Sequence, residues 1–198
     1  MIVLIFCCLI YILICFLVWK VRNNYHKQCL KASIQLEAYF ERFNENDMRV
    51  RNHLTLDKYI DGVRILYPWE YLYAPKTKYN LMILDPGIEF NFPHTHGKYI
   101  MVHNLGISAQ TIKHEEMHIY QRYNPVEVSK KLEEKNIKII GIYNPQTDNV
   151  RANPDINLLI YDGYINQSCY RNSSSAHIIG LPSKEHPFET MAYESETI

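Results

Sequence analysis

The sequence predicts an α+β domain, a small mixed or antiparallel sheet with helices around it, behind one N-terminal transmembrane helix. Three observations predict it. Residues 2–19 are apolar without interruption. Segments of strand character, residues 78–84, 98–103 and 137–143, are bounded by turn signals. Segments with helical spacing and helix-end signals stand between and after them, at residues 111–123, 126–135 and 185–196. Outside the apolar run, the 198-residue chain suits one globular domain large enough to bury a core. A formal net charge of zero gives no reason to expect a nucleic-acid partner.

As a helix, residues 2–19 would extend roughly 27 Å, close to the hydrocarbon thickness of a bilayer. A cleaved signal peptide would want a basic start, a shorter apolar run and a small-residue cleavage site. This run starts directly after Met1 and ends in Phe16, Leu17, Val18 and Trp19, which favours a retained anchor. The lipid bilayer is thus an expected partner. Lys20, Arg22 and Lys27 follow at once, so the positive-inside rule puts the domain on the cytoplasmic face of a single-pass protein. The sequons at Asn166 and Asn172 argue weakly for the other face. The expected division is an anchor over 1–19, a helical stalk or first domain helix over 20–50, and a domain over 51–198. Cys29 and Cys169, outside the anchor, form no disulfide framework and are expected as free thiols.

Apolar residues among Lys, Gln and Glu predict a helix over 25–44, ended by Asn44-Glu-Asn-Asp. Residues 54–74 carry no clear period. Residues 78–84 (KYNLMIL) read as a strand, stopped by Asp85-Pro86-Gly87. His94 and His96 fall in an expected turn before the strand at 98–103. Ser108 suits an N-cap for the helix to Tyr123, and Asn124-Pro125 ends it. A largely solvated helix over 126–135 follows, then the strand at 137–143. Residues 144–157 read as loop. Residues 158–161 read as a strand, Asp162-Gly163 as a hairpin turn, and 164–165 as its return. Residues 173–175 read as polar loop and 178–179 as a last strand. Pro187 suits the first turn of the final helix.

The chemistry concentrates in His114-Glu115-Glu116-Met117-His118. On a helix, residues four apart share one face, so two neutral imidazoles can reach one zinc ion. Glu115 sits where its carboxylate can take a proton from water. Glu116 and Gln121 are expected to face solvent. A catalytic zinc wants a third protein ligand and one open position. His94, His96, Glu189 and Glu194 offer themselves.

His114–His118 followed by Glu189-Thr-Met-Ala192 resembles the ligand set of gluzincin zinc metallopeptidases. The longer pattern also includes P-H-T-H-G, R-A-N-P-D and H-P-F-E. It is similar to uncharacterised membrane-anchored chains of large DNA viruses that carry this metallopeptidase signature, which would imply a host-cell or virion membrane. No histidine follows at the spacing that would mark a metzincin. The resemblance implies a zincin-like fold, one Zn2+ held by His114, His118 and Glu189, and Glu115 as general base in peptide-bond hydrolysis. The acidic residue common in the group four positions after the ligand is Tyr193 here, which leaves Glu194 or Asp155 as candidates to hold an imidazole. Oxyanion donors are open among Tyr161, Tyr164, Arg151, His177 and His186. Fold analogy makes the strand of Lys98, Tyr99, Ile100, Met101, Val102 and His103 a rail for an extended peptide or protein substrate. The other reading is a catalytically inactive, zincin-like membrane protein with a binding or structural role. A structural zinc would be closed by a fourth ligand such as His94.

Overall fold

The structure is a computed structural model that describes residues 2–142, 144, 150–151, 153, 155–164, 168–172, 175–176 and 185–196. Helix α1 (Ile2–Glu37) is continuous over 36 residues. Its first half is exposed, and is long and apolar enough to cross a membrane. In its second half Leu30 and Ile34 are buried with Tyr39, Phe43, Tyr59, Met82 and Met101. The alternation of apolar and polar residues after Cys29 therefore lays α1 onto the domain itself, with no separate stalk. The helix stops at Glu37, earlier than expected, because Ala38 takes a left-handed φ of 48°.

A 3-10 turn (Phe40–Arg42) leads to α2 (Glu45–Val50) and α3 (Leu56–Asp61). The Asn44 side chain accepts from the Asp47 N–H, so Asn44 opens a helix where the sequence reading had one closing. Residues 54–74, unassigned from sequence, hold α3, strand β1 (Val63–Ile65) and a 3-10 turn (Glu70–Leu72).

Strands β2 (Asn80–Leu84), β3 (His94–His96) and β4 (Tyr99–Val102) join β1 in a mixed four-stranded sheet of order β1-β2-β4-β3. β2 and β4 run parallel; the other pairs are antiparallel. The two residues Gly97 and Lys98 turn β3 back onto β4. Gly97 has φ +54°, and a Cβ there would stand 1.9 Å from Ser33 Oγ of α1. Glycine is needed for both the turn and the close crossing. His94 and His96 thus belong to a strand, not a turn.

This topology corrects the expected rail. β4 is bonded on both sides, by β2 and by β3, and Tyr99, Ile100, Met101 and Val102 are buried. Lys98 lies in the turn, and His103 follows the strand end. Strand addition needs an unpaired edge, and β4 has none. The sheet's edges are β1 and β3, and the Thr95 N–H of β3 is already bonded to Asp155 Oδ1 at 2.9 Å.

Helix α4 (Ala109–Tyr123) starts where the Ser108 side chain accepts from the Thr111 N–H, a cap worth about 1 kcal/mol. Asn124 closes it and Pro125 is the first residue of α5 (Pro125–Glu134). Beyond lie β5 (Ile139–Ile142), β6 (Val150–Arg151), β7 (Leu159–Tyr161), β8 (Ser168–Asn172) and β9 (Ser175–Ala176). β5 pairs with β7, and β6-β8-β9 form a second small sheet. Gly163 has the positive φ of a turn, but β7 pairs with β5 and Tyr164 makes only an isolated bridge. Tyr143, Ile165, Asn166, residues 173–174 and the expected strand at 178–179 lie outside the described residues. Helix α6 (Pro187–Glu196) packs on α4, with Ala192 fully buried at the close approach. The whole is a mixed α+β fold with small sheets and one N-terminal apolar helix.

Candidate metal centre

Two helices build the site. His114 and His118 lie one turn apart on α4, and α6 brings Glu189 opposite them. His114 Nε2 and His118 Nε2 are 3.1 Å apart. Glu189 Oε2 lies 3.2 Å from the first and 3.5 Å from the second. Tetrahedral ligands about 2.0–2.1 Å from a zinc ion stand roughly 3.3 Å from one another. The three atoms therefore have the spacing a zinc ion needs. Two imidazoles and a carboxylate are also a donor set that suits zinc. Among the described residues, these three form one group that could hold a metal ion.

Each imidazole is oriented from behind. His114 Nδ1 is 2.9 Å from Glu196 Oε1, and His118 Nδ1 is 3.0 Å from Gln121 Oε1. Such contacts fix the ring and aim Nε2. Gln121 also donates to the Phe188 carbonyl at 2.8 Å, which ties α4 to the start of α6. Gln121 is buried, not solvent-facing as expected. Glu116 accepts from Thr77 Oγ1 and is only partly exposed. Glu196 and Gln121 were missed from the sequence. A signal existed for both: Glu196 is seven residues after Glu189, on the same helix face, and Gln121 is three after His118.

Charge is unevenly placed here. Burial by itself would lower His118, but Glu189 and Asp155 raise it to about 9. Burial would raise Glu189, yet its bonds to His114 and His118 hold it far below the usual carboxylate range. Glu115 is pushed well upward, first by burial and then by Asp155. Its Oε2 is buried with no hydrogen-bond partner among the described residues. Glu115, His118 and Asp155 form a second group that could hold a cation, overlapping the first.

Asp155 does not hold an imidazole. It accepts from the Thr95 N–H and from Thr95 Oγ1 at 2.5 Å. Arg122 donates to Thr95 Oγ1 at 3.1 Å and lies 3.3 Å from Glu37. This network runs from the end of α1 through β3 and α4 to the carboxylates beside the site. Glu194 points elsewhere: it pairs with Lys135 at 2.6 Å on the surface, so it neither joins the triad nor supports it.

The expected oxyanion donors fare differently. The Tyr161 hydroxyl accepts from Asn157, and its ring is buried with Val128, Leu132 and Met191. Tyr164 packs beside that cluster. His186 is buried against Tyr161, and desolvation lowers it to about 4. Its Nδ1 accepts from the Phe188 N–H. Arg151 is described only as backbone of β6, and His177 lies outside the described residues.

His94 and His96 are on the opposite face of β3 from Thr95. His94 Nε2 is 2.5 Å from the Tyr59 hydroxyl, and its Nδ1 is 2.9 Å from the Phe92 carbonyl. His96 Nδ1 is 3.5 Å from Glu37 Oε2, outside hydrogen-bond geometry. Both rings are buried among Tyr39 and Tyr59, apart from the triad. Comparison of the chain with protein-family models, curated proteins and solved structures finds no match.

Proposed function

We propose that this chain is a membrane-anchored, zinc-dependent metallopeptidase of gluzincin type with a zincin-like fold. The observation that carries the reading is the convergence of His114 Nε2, His118 Nε2 and Glu189 Oε2 within 3.1–3.5 Å of one another. The buried Oε2 of Glu115 beside them, without a hydrogen-bond partner among the described residues, supports it. Zinc held by these three residues would supply a Lewis acid that lets water lose a proton near neutral pH.

Glu115 would take that proton, the resulting hydroxide would add to the peptide carbonyl, and Glu115 would pass the proton to the amine that leaves as the C–N bond breaks. Glu196 and Gln121 hold the imidazoles in one orientation. The substrate is a peptide or protein held by something other than β4. By its flanking Lys20, Arg22 and Lys27, the domain faces the cytoplasm; glycosylation at Asn166 or Asn172 in cells would overturn that orientation.

The test pairs metal analysis with Glu115→Gln. Purified full-length protein should hold one zinc per chain and cleave a quenched fluorescent peptide library. Glu115→Gln should keep the zinc and lose about 10²- to 10⁴-fold in turnover. Protein without stoichiometric zinc, or a variant that cleaves as fast as its parent, refutes the proposal.

A further inference from the structure

Residues 66–75, LYPWEYLYAP, contain one charged side chain, Glu70. The structure places the segment beside α1 where the apolar run ends. The Trp19 ring stacks on Tyr67 at 5.3 Å, and Tyr67 stacks on Trp69 at 4.7 Å. Arg22 lies over the Tyr71 ring at 5.4 Å, and Asn23 Oδ1 accepts from the Ile65 N–H at 3.1 Å. The loop is therefore level with residues 19–23 of α1.

Its outer side is apolar and uncovered. Trp69, Tyr71 and Tyr73 are about half exposed or more, and Leu72 is 88% exposed. In solution such a cluster costs free energy, and contiguous exposed apolar surface marks an interaction site. The one charge is neutralised in place: Arg64 grips Glu70 with two bonds, at 2.6 and 2.9 Å. Glu70 also accepts from the Tyr67 N–H at 2.7 Å, which holds the loop's shape. Tyr and Trp with an apolar body and a polar edge are the residues that settle at the bilayer–water boundary.

We infer that residues 67–73 form a second membrane contact, an aromatic loop that inserts into the interfacial layer beside the exit of α1. The occupant is the lipid surface, because Trp19, at the end of the bilayer-length apolar run, is in the same ring stack as Trp69. The domain is then fixed to the membrane at two points instead of hanging from one helix. The inference rests on α1 crossing the bilayer.

The chain has two tryptophans, so Trp19→Phe leaves Trp69 as the only indole and Trp69→Phe leaves Trp19. Each full-length variant is reconstituted into phosphatidylcholine–phosphatidylglycerol vesicles, with and without lipids brominated near the headgroup end of the chains. Expected: the brominated lipids roughly halve Trp69 emission, and aqueous iodide has little effect. Leu72→Asp in the Trp19→Phe background should reverse both responses. Trp69 quenched by iodide but not by brominated lipid, while Trp19 responds to the lipid, overturns the loop contact and leaves the anchor intact. Trp69 shielded from both quenchers also overturns it, in favour of a protein cover. No lipid response from Trp19 refutes the anchor and the inference together.

Discussion

Replacing Glu196 with alanine should weaken zinc binding by about ten- to thirtyfold and leave the fold intact. Glu196 Oε1 is 2.9 Å from His114 Nδ1, with the side chain 28% exposed. A hydrogen bond involving a charged group is worth about 1.5–3 kcal/mol net, and partial exposure favours the lower half of that range. About 1.4–2 kcal/mol corresponds to ten- to thirtyfold in affinity. Outer partners of metal-binding imidazoles usually matter on this scale. Folding should not suffer, because Glu196 sits in the last turn of α6, where a negative charge opposes the helix dipole. Glu194→Ala is the control: it removes an exposed pair with Lys135, worth about 0–1 kcal/mol of stability, and should leave zinc affinity alone. Competition against a chromophoric chelator at fixed pH and salt measures both. Equal affinity for parent and Glu196→Ala, or an equal loss in Glu194→Ala, refutes the assignment of Glu196 to His114.

Zinc affinity should rise with pH up to about 9, because His118 is raised to about 9 in the metal-free protein and its proton must leave before the ring can bind metal. The same chelator competition run from pH 6 to 9 would contradict this if the affinity were flat. A different pH effect concerns the core. Glu89 is lowered to about 2: burial opposes this, but Arg51 at 3.1 Å and Tyr39 overcome it. A depressed carboxylate stabilises the fold above its unfolded value near 4.5, and that stability drains as pH falls towards 2. Glu89→Gln should therefore melt lower than its parent at pH 7 and close to it at pH 2; a constant difference in thermal midpoint would contradict this. Gly97→Ala should destabilise by roughly 2–4 kcal/mol, from the left-handed φ and the 1.9 Å approach to Ser33 Oγ. A thermal melt unchanged within error would count against that crossing.

The signals that could be read along the chain were those that act locally. Ser108 and Pro125 bound α4 because caps and proline act on their own neighbours, and the four-residue step in His114–His118 is a helix period. Glu189 was reached through a pattern, whereas its apposition to α4 is a matter of packing. The misreadings share a cause in distant partners. His94-Thr-His96 carries no apolar alternation, and becomes a strand because Gly97 folds it onto β4. β4 looked like a rail by fold analogy, and the parallel partner that closes one side of it, β2, lies nineteen residues earlier in the chain. Gln121 looked like a solvated glutamine, but α6 arrives from nearly seventy residues downstream to bury it. Asn44 stops one helix or starts another by the same chemistry; only the early end of α1 at Glu37 decides which.

The unbroken course of α1 also sets a reach. Trp19 and Glu37 are eighteen residues apart, roughly 27 Å along a straight helix, and about 25 Å above the bilayer at a common tilt of about 20°. Glu37 meets Arg122, which is one turn past His118, so the proposed zinc site stands near that height. An extended chain covers about 3.4 Å per residue. A polypeptide rooted in the same membrane would need about eight residues outside it before any of its bonds came level with Glu115. Under the proposed peptidase reading, bonds inside the bilayer or at its surface would lie below the site, and lengthening or shortening α1 by whole turns would shift the cleavage point along a membrane-tethered substrate in proportion.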